Sequence, residues 1–129
     1  MTPADPISDD ATVAEAARHL ATSAFDSVPV CDQYGRLRGM VTDRDLVVEV
    51  AAAGKLSSET RLIDLVRGEV VSVCADDTIE VAAARMRDYR TPRVPVVEGE
   101  RLVGMLSRAN LARRIPDGVV GATTGGVES

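Results

Sequence analysis

The feature that most constrains this chain is that it repeats itself. Val28-Pro29-Val30 returns as Val94-Pro95-Val96, Thr12 as Thr78 and Ala16-Ala17 as Ala82-Ala83, each pair 66 positions apart. One residue is then dropped from a turn. Beyond it Arg36-Leu37, Gly39-Met40 and Leu46 return 65 positions later as Arg101-Leu102, Gly104-Met105 and Leu111. Self-similarity in a fixed order means two copies of one supersecondary unit. Half of a 129-residue chain is too small to be comfortably stable on its own core. The two copies are therefore expected to share apolar surface, packed sheet to sheet about a pseudo-twofold axis.

Each copy reads as strand, helix, strand, turn, strand, helix, which is an α+β chain with β-α-β-β-α repeats. In the first, Pro6-Ile7-Ser8 suggests a short strand, and Thr12 with Glu15 three residues later forms a capping box. Val13, Ala16, Ala17, Leu20 and Ala21 then fall at helical spacing. Val28-Pro29-Val30-Cys31 is a β-branched run whose proline predicts an edge strand or the start of one. Asp32-Gln33-Tyr34-Gly35 is a turn by composition, and the helix from Asp43 carries Leu46, Val47 and Val50 and runs through Ala51-Ala52-Ala53. Residues 55–61 read as the link between copies. In the second copy Glu69–Cys74 predicts a strand, Asp77 or Thr78 caps a helix, and the helix from Ser107 stops before Pro116.

Composition removes several function classes. Hydrophobic residues make up 45% of the chain but aromatics only 2%, with no Trp, so the core is built from Val, Leu, Ala, Ile and Met. A net charge of −5 argues against a nucleic-acid partner. No apolar window approaches the roughly 18 residues of a membrane helix, and the acidic N-terminus is unlike a signal peptide; a cytoplasmic protein is expected. Cys31 and Cys74 lack a C-x-x-C spacing and read as buried free thiols. With one histidine, His19, no Cys/His cluster and no Gly-rich phosphate loop, neither a metal site, a catalytic residue nor an enzyme is expected.

The stretch Gly39-Met40-Val41-Thr42-Asp43-Arg44-Asp45-Leu46 carries the chemistry. It reads as a strand ending at a hydroxyl and opening a helix, where unpaired N–H groups and the positive dipole end favour anions. Thr42 adds a donor and acceptor, and Asp45 an acceptor-only carboxylate. Gly104–Leu111 echoes it, with Ser107 and Asn110 in the matching places. Two readings fit: both pairs cap helices and nothing more, or they hold a ligand that has a phosphate and a sugar diol.

The two Val-Pro-Val strands, the two Gly-Met pairs before a hydroxyl and the tract Thr42-Asp43-Arg44-Asp45-Leu46 together resemble a tandem pair of CBS domains, a Bateman module. The resemblance spans Met1 to Ile115 and divides the chain into repeats at 1–57 and 58–116, with a disordered tail at 117–129. The short leading helix that Leu62–Val66 supplies to the second repeat has only Met1-Thr2 as its counterpart in the first. The resemblance implies clefts between the repeats that bind adenosyl ligands such as AMP, ADP, ATP or S-adenosylmethionine, with no cofactor required. The hydroxyl would contact phosphate and the residue three positions on would hold the ribose, which points to Thr42 and Asp45 in one cleft and Ser107 and Asn110 in the other. The residue before each Val-Pro-Val strand faces phosphate in the family; here these are Ser27 and Arg93, the latter with Arg90 nearby. The first repeat thus has the better ribose acceptor and the second the better phosphate donors; Glu98 is the alternative partner for Arg93. The resemblance also implies a homodimer through the helices, Leu46–Ala53 among them, and a regulated protein on another chain. The alternative is a ligand-free dimeric protein-interaction module.

Overall fold

Residues 1–66 and 70–109 are described by a computed structural model of the chain. Asn110, the remainder of the helix expected from Ser107, and the tail at 117–129 lie outside the described residues. The chain divides into two compact units, one spanning Asp5–Val70 and the other combining Met1–Ala4 with the chain from Val71 onward.

In the first unit, β1 (Ile7–Ser8), α1 (Val13–Ala21), β2 (Ser27–Cys31), β3 (Leu37–Thr42) and α2 (Asp43–Val47) follow one another. The sheet order is β1-β2-β3. β1 lies parallel to β2, with Ile7 beside Val30, and β3 lies antiparallel to it, with Ser27 opposite Thr42 and Cys31 opposite Leu37. Val28 through Cys31 are buried without a break, the mark of a strand covered on both faces. β2 is therefore central, which corrects the edge expected from Pro29. The proline is tolerated because β1 pairs only with Val30 and Cys31. At Pro29 the side facing β1 has no ladder bond to lose.

The α1 start is fixed by a reciprocal box: Thr12 Oγ1 accepts from Glu15 N at 3.2 Å and Glu15 Oε1 accepts from Thr12 N at 2.8 Å. These bonds hold the Glu15 carboxyl below its ordinary pKa. Two further first-turn N–H groups, from Val13 and Ala14, donate to the carbonyls of Thr60 and Ser57. The chain after the first repeat thus folds back onto it, and Leu62, in a 3₁₀ turn at Leu62–Asp64, joins Val13, Ala16, Val28, Val30, Val41 and Leu46 in the core. α2 continues as a π-helical turn over Val48–Ala52. Val47, the last residue of α2, is 61% exposed, while Leu46 beside it is buried.

The second unit repeats the plan with β4 (Val73–Cys74), α3 (Ile79–Asp88), β5 (Arg93–Glu98) and β6 (Arg101–Ser107), in sheet order β4-β5-β6. β4 is shorter than the run expected from Glu69. Thr78, not Asp77, caps α3, accepting from Val81 N. Pro95 again lies in a central strand, just before the residues that pair with β4. Val73, Ala82, Met86, Val94, Val96 and Leu106 form the core. The sheet is extended by Thr2, whose N–H donates to Met105 O at 2.8 Å and whose carbonyl accepts from Met105 N at 2.9 Å.

Both β3 and β6 carry a glycine where a side chain lies against the bare backbone. A Cβ on Gly39 would stand 2.6 Å from Val66 Cγ1 and 2.9 Å from its Cβ; one on Gly104 would stand 2.6 Å from Met1 Cγ and Sδ. Val66 is short and stiff, while Met1 is flexible. Gly39→Ala is expected to cost about 1–3 kcal/mol by overpacking, more than Gly104→Ala, and Val66→Ala, which removes Cγ1 but keeps the Cβ, should restore part of the loss. Urea unfolding of the single and double variants measures this; additive losses would remove the contact as the cause.

The two free thiols differ. Cys31 is buried in β2, and burial, then the carboxylates of Asp32 and Asp9, push its pKa up. Cys74 is exposed at the end of β4, correcting the expectation of two buried thiols. A thiol-specific chromogenic reagent is expected to modify one cysteine rapidly in the native protein and two in denaturant, with the fast phase abolished by Cys74→Ser. A fast phase surviving that substitution would assign it to Cys31 and contradict the burial.

Candidate functional site

The end of the first unit's sheet at which β3 passes into α2 gathers three of the expected residues. Ser27 and Thr42 are cross-strand partners, and Thr42 is also the N-cap of α2. Its Oγ1 accepts from Asp45 N at 3.0 Å, and Asp45 Oδ2 accepts from Thr42 N at 3.0 Å. Asp43 N donates to Asp26 O at 3.1 Å, tying the helix start to the residue before β2. The Thr-x-x-Asp spacing has an immediate local cause, since it closes a capping box. The box also fixes the hydroxyl and the carboxylate in one orientation at an exposed edge. Only one of the two Asp45 oxygens serves the cap, leaving lone pairs for another donor.

The equivalent end of the second unit's sheet places Arg93 opposite Ser107. Arg108 N donates to Pro92 O at 2.8 Å, and Thr91 Oγ1 donates to Arg93 O at 2.6 Å, so the entry to β5 and the exit from β6 are pinned together. Glu98 stands at the opposite end of β5, across from Arg101, which removes it as the partner of Arg93. Asn110 is outside the described residues. Arg90, just upstream, follows α3 with φ 54°. Its N–H bonds Arg87 O and that of Thr91 bonds Met86 O, the two bonds of a Schellman cap. An arginine occupies the left-handed position where glycine is less costly by about 1–2 kcal/mol.

The two ends differ in charge. Asp26, Asp43 and Asp45, with Arg44 between the last two, flank the Thr42 end in sequence; Arg90, Arg93 and Arg108 flank the Ser107 end. The first suits a neutral diol that donates hydrogen bonds to a carboxylate, and the second suits an anion.

Elsewhere, one turn brings Cys74 Sγ and the Asp76 and Asp77 carboxylates within 4.8 Å of one another. Asp77 Oδ2 accepts from Cys74 N at 2.8 Å. A search of the sequence for Cys/His spacings passes over this thiol–carboxylate group. His19 Nε2 lies 3.4 Å from Asp5 Oδ2, a local pairing far from either strand-to-helix end in sequence. Among the described residues no helix is long and apolar enough to cross a membrane.

Comparison with known proteins agrees with this geometry. The CBS domain model matches twice, over residues 1–52 and 62–117. Hypoxic response protein 1 of Mycobacterium tuberculosis is 32% identical over 111 residues, covering 86% of this chain and 78% of that one. The crystal structure of hypoxic response protein I, with two coordinated zinc ions, superposes with a TM-score of 0.78 at 30% identity, covering 87% of this chain and 91% of that one. The CBS domain pair of protein MJ0100, in complex with 5′-methylthioadenosine and S-adenosyl-L-methionine, has a TM-score of 0.71 at 23% identity over 88% of each chain. A homoserine O-acetyltransferase of Methanosphaerula palustris is 33% identical, but the match takes in only 22% of its length, so the likeness is to a fused CBS region. With two family matches in register with the internal repeat and with the two sheets, the chain belongs to the CBS domain family as a tandem pair.

Proposed function

We propose that this CBS pair is a regulatory module that senses an adenosine-containing small molecule of the AMP, ADP, ATP or S-adenosylmethionine class. The observation that carries the reading is the reciprocal Thr42–Asp45 box beside Ser27, which fixes a hydroxyl and a carboxylate with spare acceptor capacity at one exposed strand-to-helix end. Ser27, Thr42 and Asp45 form a hydroxyl–carboxylate end, and Arg93 opposite Ser107 forms a guanidinium–hydroxyl end. A ribose diol would donate to such a carboxylate in the first unit, and, taken by itself, the arginine of the second unit suits a phosphate. The MJ0100 pair, which has this fold, holds two adenosyl ligands. Sensing requires that the ligand bind two states of the module with different affinity.

Isothermal titration with ATP, AMP and S-adenosylmethionine tests the reading. Asp45→Asn should weaken every ligand, because each carries a ribose. Arg93→Gln should weaken ATP by about tenfold or more, roughly 1.4 kcal/mol, and leave S-adenosylmethionine nearly unchanged, because only the nucleotides carry phosphate. No heat from any of the three at millimolar concentration would overturn the proposal.

A second reading, a ligand-free dimeric interaction module, is favoured by one surface. Val47 and Val48 are exposed together with Ala51, Ala52 and Leu56 on α2 and the turn after it, an apolar strip with small residues that permit close packing. Ala52→Glu is expected to move the protein to a later gel-filtration position if this strip joins two copies. Wild-type elution of the variant would exclude the surface.

A further inference from the structure

The β2–β3 ribbon has a second end, opposite Thr42, where the structure assigns a binding site for a free α-amino acid with an apolar side chain. A solvent-open groove of about 540 Å³ lies there, wholly within the first unit, lined among others by Asp9, Asp10, Tyr34, Arg36, Arg38 and Ile63. Small-molecule sites range over about 300–1,000 Å³, so the volume suits a compact ligand with room for water.

Backbone bonds hold the walls in place. On one side Asp9 N donates to Cys31 O at 2.8 Å, Ile63 N donates to Asp9 O at 2.9 Å, and Arg61 Nη1 donates to Asp10 O at 2.6 Å. On the other, Asp32 organises the hairpin turn: Oδ1 accepts from Tyr34 N and Arg36 N, and Oδ2 accepts from Arg36 Nε at 2.7 Å. Partial desolvation pushes the Asp32 pKa up, but these bonds outweigh it and hold the carboxyl below its ordinary range. The Arg36 guanidinium also lies 5.1 Å from the Tyr34 ring centroid. Asp32 and Arg36 are thus committed to each other and to the turn.

The remaining charges define the ligand. Among the described residues, the side chains of Asp9, Asp10 and Arg38 make no ion pair, yet all three line one groove. Two carboxylates repel a phosphate and attract an ammonium group. The guanidinium repels a simple cation and takes a carboxylate bidentately. Tyr34 and Ile63 add apolar surface to the same walls. A zwitterion with an apolar side chain satisfies all of these groups; a nucleotide, a metal ion or a monoamine satisfies only some. This site shares β2 and β3 with Thr42 but none of its residues, so the assignment stands apart from the proposed adenosyl reading.

The test is calorimetric titration of the full chain with L-leucine, L-isoleucine, L-methionine and L-phenylalanine. At least one is expected to bind at millimolar concentration or tighter. For L-leucine, the matching amine without the carboxylate (isoamylamine) and the matching acid without the ammonium (isocaproate) should each bind about tenfold or more weakly. Arg38→Gln and the double variant Asp9→Asn/Asp10→Asn should lose binding with thermal melts close to wild type, while Asp45→Asn binds normally. If a variant fails to fold, amide shifts of Asp9, Tyr34 and Arg38 in the wild-type NMR spectrum on titration report the same site. No binding by any of the four amino acids, equal binding of isoamylamine, or wild-type affinity in a folded Arg38→Gln protein would each overturn the assignment. ATP binding is read separately in the same variants, so failure here leaves the adenosyl reading standing, and the reverse holds.

Discussion

A side chain lying against a bare strand glycine is the constraint on which both units rest. At Gly39 the side chain is Val66, and at Gly104 it is Met1. The two glycines are repeat equivalents, and so are the two partners, 65 positions apart. In each case the partner comes from a lead segment that belongs, by sequence, to the other copy. Val66 follows the first copy and completes the unit at Asp5–Val70; Met1 and Thr2 precede the first copy and add to the sheet of the second unit. A Cβ at either glycine would stand where those atoms already are. The exchange also explains why two small repeats coexist in one chain. Leu62 fills the first core, and the Thr60 and Ser57 carbonyls cover the first-turn N–H groups of α1, so the first repeat without residues 57–66 would lack part of its core and two helix-cap acceptors.

That arrangement determines what the strand-to-helix ends are free to do. The lead segment and α1 pack into one core with β2, β3 and Leu46 of α2. The reciprocal Thr42–Asp45 box then fixes the first turn. A capping box and a ligand-binding pair use the same atoms for different donors, so the two roles are compatible: the cap orients the side chains, and a carboxylate keeps acceptor capacity beyond it. An N-cap contributes about 1 kcal/mol, enough to keep the geometry in place before any ligand arrives.

How much of this was legible in the sequence depended on whether the cause was local. Thr12–Glu15 and Thr42–Asp45 were readable because a capping box needs only residues three apart. The repeat register placed β2, β3, β5 and β6, because a strand–turn–strand hairpin is itself local; the pairing of Ser27 with Thr42 and of Arg93 with Ser107 came from the structure. Pro29 misled, since a proline in a strand says that one ladder bond is missing and not which strand lies outermost; β1 is simply too short to reach it. The burial of Cys31 but not Cys74 depends on neighbours distant in sequence, as does the groove between the Ser8–Asp10 turn and the Asp32–Gly35 turn. Neither turn alone carries a signal for it.

The two repeats have kept one backbone plan while diverging in charge, and the divergence is not uniform wear. Around Thr42 stand three carboxylates and one arginine, Arg44; around Ser107 stand arginines. Arg90 is the sharpest case. A Schellman cap is ordinarily closed by glycine, and an arginine held at φ 54° costs about 1–2 kcal/mol of backbone strain. If the cap were its only role, glycine would stabilise the helix end and nothing would be lost. Strain of this kind persists where the surrounding structure over-determines it and where the side chain has a use. The guanidinium sits three residues before Arg93, on the segment that enters β5 beside Ser107. A cation kept there against the preference of its own backbone supports the proposal that the second unit meets an anionic ligand.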